Sequence, residues 1–364
     1  MKIVHVETGR HFYGGAQQVI WLIRGLEGRG VENVLVCSPG AAIGAAAAEV
    51  GLRVASLPCA GDQDMRFAWR LRSLLKREKP DLVHCHSRRG ADLLGGWAAR
   101  WAGIPAVLSR RVDNPESPVM AALRYRSFSA VVAISENIAS LLTQDGLDPE
   151  RLEVIRDAVD VDAINQHPDR SRLQAEFGIA EDVFAIAVVA QLIPRKGHRF
   201  LLDVLPGLLA YNPRIRAVFF GEGKGEADLR ELTSKLGLTG AVRFAGFRHD
   251  LDDFLGAFDL LVHPAVKEGL GVAMLKGAAA GLPVIAFDVA GAREAVVHGG
   301  TGILIEPGDL AKLQRAIEVL IEDEEIRHGL GRAGRQRMKG EFSVATMVES
   351  HLALYARILH EGPA

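Results

Sequence analysis

Two α/β lobes, each a doubly wound parallel sheet covered by helices, are what this sequence predicts, on three observations. The chain has 364 residues, more than one core usually organises, since single cores stop growing at about 250–300 residues. Short, β-branched apolar runs alternate with amphipathic helical stretches. That alternation occurs twice, with a polar stretch between the two sets.

In the first half, Ile3–Val6, Val34–Cys37, Val54–Leu57, Leu82–Cys85, Ala106–Leu108 and Ala130–Ile134 read as strands. They are near-continuous rather than alternating, as parallel strands buried on both faces should be. Helices fall between them, for instance Ala16–Glu27 and Phe67–Lys79. Strand–helix–strand repetition implies right-handed crossovers and a doubly wound sheet. The second half repeats the scheme with Phe184–Val189, Ala217–Phe220, Val242–Phe244, Leu260–Val262, Val284–Phe287 and Ile303–Ile305. The polar stretch Asp160–Arg172 is the expected linker. From about Asp309 the chain reads as helical, ending in a helix from Ser343 to Leu359. The expected organisation is therefore a first lobe over 1–165, a second over 166–342, and a final segment, 343–364, packing back on the first lobe. Two such sheets facing each other would make a central cleft at the carboxyl ends of their strands, where ligands bind.

Composition narrows the function. Hydrophobic residues make up 48% and charged residues 24%, enough for large cores and too ordered a mix for a disordered chain. A formal net charge of −2 argues against a nucleic-acid binder. Cys37, Cys59 and Cys85 have no framework spacing, which fits a reducing compartment. The start reads as a strand and turn rather than a signal peptide, and no apolar run reaches 18 residues. The expectation is a soluble cytoplasmic protein, with contact at the inner face of the cell membrane left open. That opening comes from a charge asymmetry. Arg66–Arg126 holds 13 Lys and Arg against 5 Asp and Glu, a net +8 that leaves −10 for the rest. Its helix Arg66–Lys79 reads either as a core helix with a solvated basic face or as a surface for an anionic partner, a lipid or a phosphorylated glycolipid.

The most informative stretch is Pro264–Val284. An acidic residue, Glu268, ends a loop; Gly269 and Gly271 open a helix; Gly281 and Pro283 precede the next strand. Glycines at a helix start let backbone N–H groups approach an anion, and the helix dipole favours phosphate there. Lys276, eight residues on, should lie two turns down and on nearly the same face as Glu268.

With that stretch the sequence resembles the family-4 glycosyltransferases (glycosyltransferase group 1), over nearly its whole length. The family pattern at Glu268 is Glu, seven residues, Glu, followed by an Ala-rich segment and Gly-x-Pro-Val. Gly14–Gln17, Ala190–Gly197, Phe219–Gly223, Val242–Phe247 and Gly302–Pro307 match in order and spacing. The resemblance implies a GT-B fold and sugar transfer with retention from a nucleotide diphosphate, UDP- or GDP-linked. The acceptor would be a glycolipid or polysaccharide of the lipopolysaccharide or cell-envelope kind. It implies neither metal nor cofactor, because cationic side chains and a helix N-terminus can stabilise the leaving charge. By resemblance, Glu268 would hydrogen-bond the donor sugar and Lys196 would neutralise the leaving diphosphate, helped by Arg195. Gly14, Gly15, Gly269, Leu270 and Gly271 would bind the donor through their backbone. Gly221 would also bind the donor, and the region around Gly246 and Phe247 would line the base pocket.

Three departures stand out. Lys276 replaces the family's second Glu, Gln191 replaces its Arg, and Ser109, Arg110 and Arg111 stand where many members have a His. Lys276 and Gln191 are still expected at the donor, with Lys276 supplying cationic support that the missing Arg would have given. Arg110, Arg111 and His86 are expected on the acceptor side. The same departures leave open a catalytically lapsed binding or assembly subunit, and the shared cleft leaves open a nucleotide-sugar epimerase. His84 and His86 share a strand face, but two ligands without an evident third are thin support for a metal. The glycines at 221, 223 and 225 lack full dinucleotide-binding spacing.

Overall fold

The computed structural model describes residues 1–12, 14–86, 90–165 and 168–361. It divides into two compact units, residues 1–158 with 344–364, and residues 159–343.

In the first unit the order is β1 (Lys2–Glu7), α1 (Gly14–Glu27), β2 (Glu32–Cys37), α2 (Ala42–Glu49), β3 (Val54–Ser56), α3 (Met65–Glu78) and β4 (Leu82–Cys85). Then come α4 (Gly96–Ala102), β5 (Ala106–Arg110), α5 (Pro118–Tyr125), β6 (Ala130–Ala133), α6 (Glu136–Gln144) and β7 (Leu152–Val154). The sheet is parallel, in the order β3-β2-β1-β4-β5-β6-β7. Strands β1, β2, β4, β5 and β6 are buried on both faces, as their unbroken apolar runs require. Helix α3 shows how local signals set an element. The Asp64 side chain accepts from the Phe67 N–H at its start, Phe67, Ala68, Leu71, Leu74 and Leu75 face inward, and Lys79 ends it with a left-handed backbone.

The second unit runs α7 (Ser171–Phe177), β8 (Phe184–Val189), α8 (His198–Tyr211), β9 (Ile215–Phe220), α9 (Glu226–Lys235), β10 (Val242–Gly246) and β11 (Leu260–His263). It continues α10 (Val272–Ala279), β12 (Val284–Phe287), α11 (Ala290–Ala295), β13 (Gly302–Ile305), α12 (Leu310–Glu322) and α13 (Glu324–Glu341). The parallel order is β10-β9-β8-β11-β12-β13. One core gathers Ile186, Val188, Leu201, Leu205, Phe219, Val262, Phe287 and Ile317 between sheet and helices.

The final helix, α14 (Val344–Glu361), belongs to the first unit, where Met347, Val348, Leu354, Tyr355 and Ile358 join Ile3, Leu22, Leu26 and Leu82 in one core. The crossing into the second unit differs from the expected linker. It lies at 158/159, before Asp160–Arg172. Val159 N–H bonds the Phe342 carbonyl, Asn165 N–H bonds the Asp252 carbonyl, and Arg170 pairs with Asp259 at 3.0 Å, so that polar stretch is fastened to the second unit. Positions 166 and 167, within it, lie outside the described residues. Among the described residues no helix is long and apolar enough to cross a membrane.

Candidate active site

Each sheet reverses its winding once. In the second unit the reversal falls between β8 and β11, and the carboxyl end of such a switch point is where open α/β sheets bind ligands. Lys196 comes from the 3₁₀ turn Pro194–Lys196 after β8, and Glu268 from the loop after β11. They meet there: Lys196 Nζ lies 2.5 Å from Glu268 Oε2. His263, the last residue of β11, places Nε2 2.9 Å from the same oxygen. The other carboxylate oxygen accepts the Gly269 N–H at 3.2 Å. Burial pushes the Glu268 carboxyl up, but the hydrogen bond and field of His263, with Lys196, outweigh it and hold the group at about 2. Glu268 is thus a fixed anion with one face committed to a cation.

The backbone makes this junction tight. Gly197 has φ of 72°, and a Cβ on it would fall 1.9 Å from the Pro264 carbonyl oxygen. The Val266 N–H also bonds the Arg195 carbonyl at 3.0 Å. The two loops are therefore clamped, and only glycine fits at 197. Arg195 is exposed, and Leu270 is buried, so any contact of Leu270 with a ligand is through its backbone. Gly271 caps α10 with φ of 81°.

Gln191, Gly221 and Phe247 also converge, at the ends of neighbouring strands β8, β9 and β10. Gly221 N–H bonds the Gly246 carbonyl at 2.8 Å, and a Cβ on Gly221 would meet the Ala190 carbonyl oxygen at 2.1 Å. Phe247 is 44% exposed, and Gln191 is exposed.

Lys276 departs from expectation. Helix α10 starts at Val272, so Glu268 precedes it and the two residues share no helix face. The Lys276 amine instead lies 2.8 and 2.7 Å from the two oxygens of Asp252. Its charge is matched within the protein, and cationic support for a ligand would require leaving Asp252.

In the first unit the winding reverses between β1 and β4. Gly14 and Gly15 open α1 after β1, and His86 follows β4. Arg111 stands beside Gly15, with its Nε 3.1 Å from Asp157 and a bond from Nη1 to the His86 carbonyl. Arg110 is buried differently: it pairs with Glu116 at 2.9 Å and bonds the Asn114 carbonyl, and Glu116 also holds Arg124. The Arg110 guanidinium thus ties down its own loop and is not open to an acceptor, contrary to expectation.

Sequence reasoning found no third partner for His84 and His86, but the register of β1 supplies one, pairing His5 with His84. The ligand atoms of His5, His84 and His86 lie within 4.8 Å of one another. They are engaged in a relay. Asn33 Nδ2 donates to the Val31 carbonyl, which orients its Oδ1 to accept from His5 Nε2–H at 3.0 Å. His5 Nδ1 must then accept from His86 Nε2–H at 3.0 Å, leaving His86 Nδ1 as a buried lone pair without a partner. His84 bonds Tyr355 Oη at 2.7 Å and Ser109 Oγ at 2.8 Å. A metal at this point would have to break both sets. His263 and His198 were the other residues missed. His198, at the start of α8, is pushed down to about 4 by burial and by the nearby His263 and Lys196. A histidine ending an apolar parallel strand was the available signal for His263.

Comparison with known proteins places this geometry in context. Residues 169–337 match the family model described as glycosyl transferases group 1, and residues 13–163 match that of glycosyltransferase family 4. The chain is 31% identical over 317 residues to a D-inositol 3-phosphate glycosyltransferase of Geodermatophilus obscurus, covering 78% of this chain and 68% of the relative. It is 27% identical over 364 residues to the lipopolysaccharide core biosynthesis glycosyltransferase LpsE of Rhizobium meliloti, covering 98% and 99%. Anabaena Alr3699/HepE, solved with UDP-glucose, superposes with a TM-score of 0.86 at 23% identity, covering 98% of this chain and all of that one.

Proposed function

This chain belongs to the group 1 glycosyltransferases of the GT-B fold, and from that premise we propose that it transfers a sugar from a nucleotide diphosphate to a cell-envelope glycolipid or polysaccharide. The donor is UDP- or GDP-linked, the anomeric configuration is retained, and no metal takes part. The observation that carries this reading is the Lys196–Glu268–His263 cluster at the switch point of the second sheet. Glu268, ionised at any working pH, accepts hydrogen bonds from donor-sugar hydroxyls. Lys196 turns from Glu268 to the diphosphate as the bond between the anomeric carbon and phosphate oxygen breaks. The acceptor oxygen forms the new bond on the same face, and its proton passes to the leaving phosphate. A fixed cation that meets charge developing in the transition state lowers the barrier more than it tightens ground-state binding.

The acceptor class follows the lipopolysaccharide core relatives, and the basic segment Arg66–Arg126 suits an anionic acceptor or contact at the inner membrane face. The test is thermal stabilisation by a panel of UDP-, GDP- and ADP-sugars, with and without EDTA. One nucleotide class should raise Tm, equally with EDTA, and the product should keep the donor's anomeric configuration. No stabilisation by any donor would favour a catalytically lapsed subunit. Turnover without an acceptor would favour an epimerase.

A further inference from the structure

Three of the four tryptophans, Trp69, Trp97 and Trp101, lie together on the first unit, with ring centroids 5.5 Å apart for Trp69 and Trp101 and 6.2 Å for Trp97 and Trp101. Trp69 is 57% and Trp101 40% exposed, unusual for the largest apolar side chain. Beside them is a cavity of about 320 Å³ lined by Trp97, Arg100, Trp101, Arg126 and Ser127. It lies where α4 meets the turn between α5 and β6. Trp97 Nε1 and Ser127 Oγ are buried without a hydrogen-bond partner, although a buried donor left unpaired is costly. Arg100 and Arg126 are exposed, and neither has a carboxylate partner among the described residues. Elsewhere in this basic segment Arg70 is spent on Asp64, Arg110 and Arg124 on Glu116, and Arg111 on Asp157. Two unmatched cations, an indole N–H and a hydroxyl around one cavity make a donor set for a tetrahedral oxyanion.

We propose that this cavity binds the phosphate of an anionic membrane lipid, with Trp69 and Trp101 resting at the level of the headgroups. The exposed indoles decide for a lipid over a free phosphate. Tryptophan favours the membrane–water interface, where its ring is half desolvated and its N–H still finds a partner. A soluble phosphate would use the arginines and leave both rings in water. The proposal rests on the anionic surface contact proposed above for the basic segment and names the residues that make it. It does not depend on the sugar chemistry, and its test uses no donor.

Full-length protein is sedimented with vesicles of neutral phosphatidylcholine, alone or with anionic phosphatidylglycerol. Binding should require the anionic lipid, weaken with salt, and shift tryptophan emission to the blue. Replacing Arg100 and Arg126 together with Gln should weaken it by about tenfold or more, since each cation near an anionic surface is worth roughly fivefold. Replacing Arg66 and Lys76 with Gln removes the same charge from α3 outside the cavity and should cost less than about threefold. Equal losses from the two pairs would mean diffuse attraction and overturn the cavity. Equal binding to neutral vesicles, or none to either, would overturn the lipid. Glycerol phosphate at matched phosphate concentration should neither shift the emission nor compete. If it does both, the site is one for a free phosphate and the lipid proposal falls. Donor-induced stabilisation measured on the same variants should be unchanged, which separates failure here from failure of the donor reading.

Discussion

Glu268 and Lys196 depend on one another, and that shapes what replacing either would do. Both side chains are nearly out of water, so removing one leaves the other as an uncompensated charge. Glu268→Gln should lower turnover by at least about tenfold, through loss of a charge-assisted hydrogen bond. Lys196→Ala should lower kcat more than donor affinity, because leaving-group charge is greatest in the transition state. Both kinetic effects presuppose a verified donor; unchanged turnover removes Glu268 from the site, and a loss confined to donor KM removes Lys196 from charge stabilisation. Stability gives an independent reading. The double variant Lys196→Met with Glu268→Gln should be more stable than the sum of the single losses predicts, by about 0.5–3 kcal/mol in a urea cycle. Additive losses would mean that the pair is not coupled as the 2.5 Å contact implies. Glu268 stood out in the sequence because loop glycines and a helix start follow it, whereas Lys196 was singled out only through the family resemblance. His5 was not legible, since its partnership with His84 depends on the register of strands 79 residues apart. Nor was the Lys276–Asp252 contact, because it depends on where a 3₁₀ turn at Leu251–Asp253 lies beside α10.

At the scale of elements, the helices of the second unit are fitted as closely as its loops. Helix α13 contains Gly329 and Gly331, which sequence propensity treats alike. A Cβ on Gly331 would lie 1.9 Å from the Gly281 carbonyl oxygen, in the turn after α10, whereas one on Gly329 would meet nothing within 4 Å. Gly329→Ala should therefore stabilise by about 0.5–1 kcal/mol through helix propensity. Gly331→Ala should destabilise by about 1–3 kcal/mol, because α13 must move off a backbone that cannot yield. Urea midpoints at unchanged m-value check the signs, and two stabilising substitutions would show that the α10–α13 contact is looser than this. Most strands were readable because buried parallel strands are written as unbroken apolar runs. The one overlooked, β7, is only Leu152, Glu153 and Val154. It is an edge strand partly open to water, so burial imposes no such run on it. The π-helical turn Ala91–Gly95 likewise has no compositional signature.

Across the whole molecule the histidines give stability a dependence on acid that differs between the units. Burial pushes His5 down to about 4 and His351 to about 3, and lowers His84 and His86 well below the usual value. All four belong to the first unit, while the second has His198, at about 4. A histidine in the unfolded chain titrates near 6.5. Folded values below that mean the unfolded chain binds more protons, so the contribution is fully present above about pH 6.5 and is lost as pH falls toward 4. Each such histidine adds a slope of up to about 1.4 kcal/mol per pH unit. Glu268, also depressed, acts in a lower window: its contribution is present above about 4.5 and is lost as pH falls toward 2. Between pH 7 and 5 the first unit should therefore weaken by more than the second. The sequence provides the reporter, because Trp21, Trp69, Trp97 and Trp101 all belong to the first unit. Tryptophan fluorescence then follows that unit alone, and circular dichroism follows both. From pH 7 to 5 the fluorescence-detected urea midpoint should fall further than the midpoint of the remaining dichroism change. His351→Gln should reduce its acid slope by about one proton. A fluorescence midpoint flat from pH 7 to 5, falling only below 4, would mean that the His5–His86 relay carries protons in the folded state and is not neutral.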